Sequence, residues 1–266
     1  MKRVLCCLVA AGIIWVLWAN TAIEVNEWTV KSPDIPAAFD GLRIAQISDL
    51  HNTEFGPENG RLLELLRGAE PDIIVITGDM IDSRNTDVEV ALAFAQRAVQ
   101  IAPCYFVSGN HESRVPEWAE LRRGLLDAGV TVLDGEFVPL ERDGSQLLLA
   151  GVSSPDFGGD FVGDLERATA GEGYTILLSH HPEWMERYAE CGADLVFSGH
   201  AHGGQVRLPF VGGLIAPNQG FFPKYDAGAF REGKTVMLVS RGLGNSIIPL
   251  RINDRPEILV AVLRSE

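Results

Sequence analysis

The 266-residue chain is long enough to bury a sizeable core, and one catalytic-sized domain is expected. Its 36 acidic and 22 basic residues give a formal net charge of −14. Without a local basic patch, this charge repels phosphate backbones and argues against a nucleic-acid partner. The four scattered cysteines do not make a disulfide framework. Cys104 and Cys191 lie in apolar contexts, where a buried free thiol is more common than a bridge, although a bridge between them is left open.

A signal-type segment comes first in chain order. Lys2 and Arg3 precede an uncharged run of 16 residues, Val4 to Ala19. Because no A-x-A cleavage site follows, residues 1–23 are predicted to be an uncleaved signal anchor that forms one transmembrane helix, with secretion after cleavage as the alternative. The positive-inside rule then places the following domain on the extracytoplasmic side of the cell membrane, with a single pass through it.

The rest of the chain is interpreted as a linker and entry segment, residues 24–41, and one domain, residues 42–266. From Leu42 onward, β-rich apolar runs stop at polar clusters and helical segments often follow, which predicts an α/β fold of two packed sheets with helices outside. The predicted strands are Leu42–Ser48, Asp72–Thr77, Cys104–Ser108, Val130–Leu133, Gln146–Val152, Tyr174–Ser179, Asp194–Ser198, Thr235–Ser240 and Ile258–Leu263. The predicted helices are Glu58–Gly68, Asp87–Ile101, Val115–Ala128, Asp164–Ala170 and Pro182–Cys191.

Polar clusters at the strand ends contain all six histidines of the chain. Because ligands of α/β folds bind at the carboxyl ends of strands, these clusters are expected to share one site. Imidazole, carboxylate and amide groups without thiolate suit Mn²⁺, Fe, Zn²⁺ or Co²⁺. In an extended segment, a D-x-H or H-x-H spacing puts both side chains on one side. The clusters are Asp49-Leu50-His51, Gly78 to Asp82, Gly109 to Glu112, Ser179-His180-His181 and Gly199 to His202.

Five motifs, in this order, resemble the signature of the calcineurin-like metallophosphoesterases over about residues 42–204. The motifs are Asp49-x-His51, Gly78-Asp79-x-x-Asp82, Gly109-Asn110-His111-Glu112, His180 and Gly199-His200-x-His202. The resemblance implies a four-layer α/β/β/α sandwich of two mixed sheets, preceded here by the predicted transmembrane helix. The segments Gly203–Pro209 and Lys224–Gly228 are similar to a membrane-anchored branch that includes bacterial phosphodiesterases and UDP-2,3-diacylglucosamine pyrophosphohydrolase-like enzymes.

The resemblance also implies two divalent metal ions, with Mn²⁺ expected and Fe, Zn²⁺, Co²⁺ or Mg²⁺ as alternatives. Asp79 would bridge the two ions. One ion would be held by Asp49, His51 and His202, and the other by Asn110, His180 and His200. Two cations ~3.5–4 Å apart lower the pKa of a bridging water enough to supply hydroxide near neutral pH, and they clamp the phosphate oxygens.

Three further motif residues are expected to assist the metal ligands. His111 would be catalytic, by stabilising the transition state and protonating the leaving oxygen, although it could instead only hydrogen-bond locally. Asp82 is expected to orient a ligand without binding metal, and Glu112 to support His111.

The adjacent histidines His180 and His181 require separate roles. Strand alternation points them to opposite sides, and Pro182 keeps His181 extended before a helix begins. His180 is therefore the predicted ligand, and His181 is expected to be a bystander or an outer-sphere contact.

The predicted function is hydrolysis of a phosphodiester or pyrophosphate bond in a phosphorylated lipid or another cell-envelope substrate. A phosphomonoesterase of the same fold is one alternative, and a metal-dependent binding or scaffold protein without turnover is an alternative from another class. The segment Gly203–Phe230, rich in glycine, proline and aromatic residues, could present an apolar lip to the membrane, or could simply pack onto the domain. The sequence leaves the oligomeric state and the substrate-binding residues open.

Overall fold

The computed structural model describes residues 2–245 and 248–266. After residue 23, amphipathic segments form short helices that each bury one apolar face, as Leu62, Leu63 and Leu66 do in the second helix. The helices are α1 (Lys2–Thr21), α2 (Gly60–Gly68), α3 (Val88–Ala98), α4 (Trp118–Asp127), α5 (Phe161–Ala168) and α6 (Met185–Glu190).

Helix α1 occupies the segment that was predicted to cross the membrane. Among residues 2–245 and 248–266, no helix is both long enough and apolar enough for a membrane crossing. The predicted transmembrane helix is therefore not confirmed.

The first sheet has six strands, in the order β1-β16-β2-β3-β4-β5. The pair β16–β2 is antiparallel and all other neighbours are parallel, so the sheet is mixed. Its strands are β1 (Glu24–Ser32), β2 (Arg43–Ile47), β3 (Ile73–Thr77), β4 (Cys104–Val107), β5 (Thr131–Val132) and β16 (Glu257–Ser265). Because β1 lies in this sheet, much of the stretch 24–41, expected to be a linker and entry segment, is packed into the domain.

The second sheet also has six strands, in the order β14-β15-β9-β8-β7-β6, and only its two outermost pairs are antiparallel. Its strands are β6 (Phe137–Arg142), β7 (Ser145–Gly151), β8 (Thr175–Leu178), β9 (Leu195–Ser198), β14 (Gly228–Glu232) and β15 (Thr235–Val239). Two short hairpins lie between β9 and β14. They pair β10 (Arg207–Leu208) with β11 (Gly212–Gly213), and β12 (Ile215–Ala216) with β13 (Gly220–Phe221).

The core lies in three apolar layers. Successive residues of the first sheet point to opposite faces. Ile44 faces the second sheet, whereas Ala45 and Ile47 face helices α2–α4. The outer face of the second sheet packs against α5 and α6 through Leu165 and Met185. Full burial of each large aliphatic side chain contributes about 1.5–3 kcal/mol. The result is the α/β/β/α layering of two mixed sheets that the resemblance implies.

The three longer strands that were not predicted, β1, β6 and β14, share a cause. Each is an edge strand whose side chains are largely exposed or half-buried, so its apolar pattern is weak. Pro139 further masks β6, where an edge position tolerates a residue without an N–H. Cys104 and Cys191 are both free thiols, so the bridge that was left open is not formed.

Candidate metal centre

The polar clusters converge where the carboxyl ends of the inner strands of both sheets meet. Asp49 follows β2 and Asp79 follows β3, while His180 and His200 follow β8 and β9 of the other sheet. Below them, the buried Gln46 amide donates a hydrogen bond to the Ser198 carbonyl across the sheets, at 2.8 Å. All seven predicted metal ligands are buried: Asp49, His51, Asp79, Asn110, His180, His200 and His202.

One group comprises Asp49, His51 and His202, whose ligand atoms lie within 4.8 Å of one another. The Nε2 atom of His202 is 3.3 Å from Asp49 Oδ1 and 3.3 Å from His51 Nε2. Three ligand atoms at such mutual distances can face a single ion.

A second group comprises Asp79, His180 and His200, also within 4.8 Å of one another. His180 Nε2 is 3.1 Å from Asp79 Oδ2 and 3.2 Å from His200 Nδ1. The Oδ1 atom of Asn110 is buried without a hydrogen-bond partner in the described part of the chain. A buried acceptor without a donor is costly, and a cation would satisfy it.

Asp79 stands between the two groups. Its Oδ2 atom lies 3.7 Å from His51 Nε2 of the first group and 3.1 Å from His180 Nε2 of the second, while Oδ1 accepts the backbone N–H of His111 at 2.8 Å. The carboxylate is thus placed to bridge two ions. The donor set of imidazole nitrogens, carboxylates and an amide oxygen fits the divalent metals expected.

The protonation of the metal-free groups follows from burial and mutual charge. Burial acts against the charged form of His180, but the adjacent Asp79 outweighs it and raises the pKa of His180 to about 10. Burial lowers the pKa of His202 to about 3, which leaves this imidazole neutral and able to bind metal. Burial acts to raise the pKa of Asp79, but His180 outweighs it, so the pKa lies well below the usual value.

The backbone at these ligands differs from the extended conformation assumed in the sequence argument. Five of them have positive φ: Asp49 (53°), His51 (47°), Asp79 (53°), His200 (66°) and His202 (47°). The D-x-H and H-x-H pairs therefore converge through left-handed turns. For these pairs, the argument that alternate residues of an extended segment share one side is wrong. Two glycines make room for these turns. A Cβ at Gly109 would collide with Asp79 Oδ1, and one at Gly199 with Ser48 Oγ.

His111 is held at the edge of the site by Ser83. Its Nδ1 atom accepts the Ser83 backbone N–H at 2.9 Å, and its Nε2 atom lies 4.0 Å from Asp79 Oδ2. Because a backbone N–H can only donate, the neutral ring carries its proton on Nε2, towards the metal ligands. Burial lowers the pKa of His111, which also favours the neutral ring.

The two residues expected to assist the ligands have different partners. Asp82 accepts bonds from the Arg84 guanidinium and places Oδ1 3.8 Å from His111 Nδ1. Glu112 accepts the backbone N–H groups of Asp79, Met80 and Gly109 at 2.8–2.9 Å. It thereby joins the loops after β3 and β4, and its support of His111 stays a prediction.

His181 is buried rather than peripheral. Its ring nitrogens lie 2.8 Å from Ser154 Oγ and 3.1 Å from Glu183 Oε1, and its ring centroid is 4.4 Å from that of His200. Glu183 also accepts a bond from Asn218, whose Nδ2 atom is 3.2 Å from His200 Nε2. His181 thus fits the outer-sphere contact that was one of its two expected roles.

Sequence reasoning missed Arg251, a fully buried side chain behind His202. Its Nη2 atom lies 3.5 Å from His202 Nδ1 and donates to the Gly244 carbonyl at 2.6 Å, and its Nη1 atom is 3.1 Å from Asp254 Oδ2. Arg251 lies outside every motif, so no local pattern could have marked it.

The comparisons agree with this geometry. A family model described as calcineurin-like phosphoesterase matches residues 42–204. The metallophosphoesterase YkuE of Bacillus subtilis is 35% identical over 91% of this chain and 86% of its own length. The phosphodiesterase YaeI of Escherichia coli is 30% identical, over 84% and 82%. A bovine transmembrane protein with metallophosphoesterase domain is 32% identical over 92% of this chain, which spans 59% of that protein.

The chain therefore belongs to the calcineurin-like phosphoesterase family. It is a metal-dependent enzyme that hydrolyses phosphate esters, and its histidine and aspartate groups fit a binuclear site. The predicted family is confirmed.

Proposed function

We propose that the enzyme is a two-metal phosphodiesterase that cleaves a phosphodiester or pyrophosphate bond in a lipid or cell-envelope substrate. The observation that carries the two-metal site is the position of Asp79, whose Oδ2 atom lies within 4 Å of imidazoles from both ligand groups. One carboxylate placed in this way can hold two ions side by side.

Each group of residues has a distinct task in this proposal. One ion would be held by Asp49, His51 and His202, the other by Asn110, His180 and His200, and Asp79 would contact both. When bound, the ions supply the positive charge that activates a water nucleophile and attracts the phosphate oxygens. Glu112 fixes the backbone on either side of Asp79 and so keeps the bridging carboxylate in position.

The hydrogen bond at His111 Nδ1 bears on how this residue would act in its expected catalytic role. A second proton on Nδ1 would point at the Ser83 N–H, so the imidazolium needed to protonate a leaving oxygen is disfavoured. The neutral ring can donate a hydrogen bond from Nε2 to a phosphate oxygen as negative charge develops there. We assign His111 this donor role.

Mn²⁺ remains the expected metal, since the oxygen and imidazole donors suit it, and the membrane remains the expected location. The membrane location is supported by the exposed apolar side chains of α1 and by the name of the bovine relative. The family membership excludes the binding protein without turnover, so a phosphomonoesterase is the alternative to be tested.

The test uses the full chain purified in mild detergent. Its metal content is measured by inductively coupled plasma mass spectrometry, and turnover of chromogenic mono- and diesters is measured with Mn²⁺ added. We expect about two ions per chain and faster turnover of the diester, with both properties lost in Asp79→Asn and Asn110→Ala. Faster turnover of the monoester would instead support the phosphomonoesterase, and bound metal without turnover of either ester would contradict the proposed activity.

A further inference from the structure

An apolar surface borders the metal centre. Six exposed side chains, here called the apolar rim, come from the two short hairpins and the segment before Arg251: Leu208, Phe210, Val211, Phe221, Phe222 and Leu250. Phe210 is fully exposed, and Phe221 and Phe222 are 70% and 62% exposed. Folding of the described chain therefore leaves most of this apolar area in water.

The rim is continuous with the site. The first hairpin begins at Arg207, five residues after His202, and the second carries Asn218, whose Nδ2 atom lies 3.2 Å from His200 Nε2. Backbone hydrogen bonds join the parts: Phe222 N–H donates to the Leu214 carbonyl, and Leu214 N–H to the Val206 carbonyl. Whatever covers the rim therefore lies next to the metal ligands.

Two rim residues have a backbone conformation that folding does not explain. Phe210 has φ 66° and Phe222 has φ 55°, in the left-handed region where bulky side chains are outliers. Glycine or asparagine would adopt these turns with less strain. An aromatic ring that is both strained and exposed is expected where the ring serves a contact outside the chain.

Helix α1 extends the same surface. Its Asn20 side chain is hydrogen-bonded to the backbone N–H and carbonyl of Arg251, next to Leu250 of the rim. The exposed apolar side chains of α1 point in all directions around its axis, because successive residues are turned by about 100°. They are Val4, Val9, Ile13, Ile14, Trp15, Leu17 and Trp18. A protein groove would cover one side of such a helix, whereas lipid covers every side.

We propose that the apolar rim and α1 dock on a lipid bilayer, with the metal centre facing the headgroup phosphates. The choice of a lipid phosphodiester as substrate rests on the proposed function, whereas the docking itself does not. The net charge of the chain is −14, and near the rim Arg207 is paired with Asp226 and Lys224 with Glu186. The attraction between the rim and the bilayer is therefore apolar rather than electrostatic. Contact of α1 with lipid is sufficient, and passage through the bilayer is not required.

The docking is tested by hydrogen–deuterium exchange of the wild-type full chain, with and without neutral phosphatidylcholine vesicles. We expect peptides over residues 207–222 to exchange at least ~3-fold more slowly with vesicles, and the β6–β7 hairpin at the opposite edge of the second sheet to be unchanged. Protection confined to α1, or absent everywhere, overturns the proposal. This readout needs no turnover, so it stands even where the proposed function fails.

A second measurement uses the triple variant Phe210→Asn, Phe221→Ser, Phe222→Asn, in which asparagine tolerates the left-handed turns. The rate on a p-nitrophenyl phosphodiester with a dialkylglycerol tail, in phosphatidylcholine vesicles, is divided by the rate on soluble bis(p-nitrophenyl) phosphate. We expect this ratio to fall at least ~5-fold, with no decrease in Tm. The control Phe137→Ser removes an equally apolar ring, 50% exposed, from β6, and should leave the ratio unchanged. An unchanged ratio in the triple variant, or an equal fall in the control, overturns the proposal.

Discussion

Replacement of Arg251 by methionine tests whether the buried Arg251–Asp254 ion pair, which lies behind the metal centre, stabilises the fold. The guanidinium is fully buried, donates to the carbonyls of Arg241 and Gly244, and pairs with Asp254, which is also fully buried. The substitution keeps most of the side-chain volume but leaves the Asp254 carboxylate without its cation. Breaking a buried pair from one side costs about 3–5 kcal/mol of unfolding free energy.

The pH dependence of this loss has a definite sign. Burial raises the pKa of Asp254 to about 6, although Arg251 opposes the shift. The folded pKa of Asp254 is above the value of about 4 that it has in the unfolded chain. The contribution of Asp254 to the free energy of unfolding is therefore fully present below about pH 4 and is lost as pH rises through about 6. Without Arg251, burial of the charged Asp254 carboxylate costs still more free energy. The substitution Arg251→Met should therefore destabilise the protein more at pH 8 than at pH 5.

The assay is urea unfolding of the metal-free protein in EDTA, followed by circular dichroism. A matched control is Arg264→Met, which removes a half-exposed guanidinium paired to the exposed Asp40 and should cost less than about 1 kcal/mol. A double-mutant cycle that combines Arg251→Met with Asp254→Asn should show a coupling free energy of about 1–3 kcal/mol. If Arg251→Met costs no more than the control at pH 8, or shows no coupling to Asp254, the reasoning is refuted.

Three further predictions concern the ligands. Gly109→Ala should lower metal affinity ~10–100-fold, since the new Cβ would displace Asp79. The control Gly60→Ala, at the first residue of α2 with nothing within 4 Å of the new Cβ, should leave metal affinity unchanged, and equilibrium dialysis measures both. His180→Ala should remove about one ion per chain, and His181→Ala should retain both ions and lose at most ~10-fold in turnover; equal metal loss would contradict their separation. Because the pKa of His180 is raised to about 10, its imidazole is protonated at pH 7, and metal binding should release about one proton. The enthalpy of metal binding, measured by titration calorimetry, should then depend on the ionisation enthalpy of the buffer, and an enthalpy that is the same in all buffers would contradict this.

The inner strands and the ligand types could be predicted because they follow from local patterns. Buried strands such as β3 and β8 are short apolar runs that end at a polar cluster, and the boundaries differ by one or two residues from those predicted. Asp79 and His180 belong to motifs in which neighbouring residues identify them. Within each sheet the polar clusters meet because parallel strands end at the same edge, and the packing of the two sheets then brings Asp79 next to His180.

The remaining features depend on contacts between distant parts of the chain. Arg251 lies 49 residues after His202, and no local rule links the two. Strand β1 is recognisable only through its pairing with β16, which is more than 200 residues away. His181 was placed by strand alternation, but its environment also depends on Ser154, which is 27 residues away and approaches it only in the folded domain.

The left-handed backbone of the ligand loops is the deepest departure from sequence reasoning, and it has a chemical cause. Such a conformation costs about 1–3 kcal/mol at a residue with a side chain, and glycine would avoid most of this cost. Glycine has no donor atom, so a position that must both turn and bind metal has to accept the strain. Hydrogen bonds between ligands offset it: His200 N–H donates to Asp49, and His51 N–H to the Asp79 carbonyl. The same bonds hold the ligand atoms in place, so the strain and the preorganisation of the metal centre have one origin.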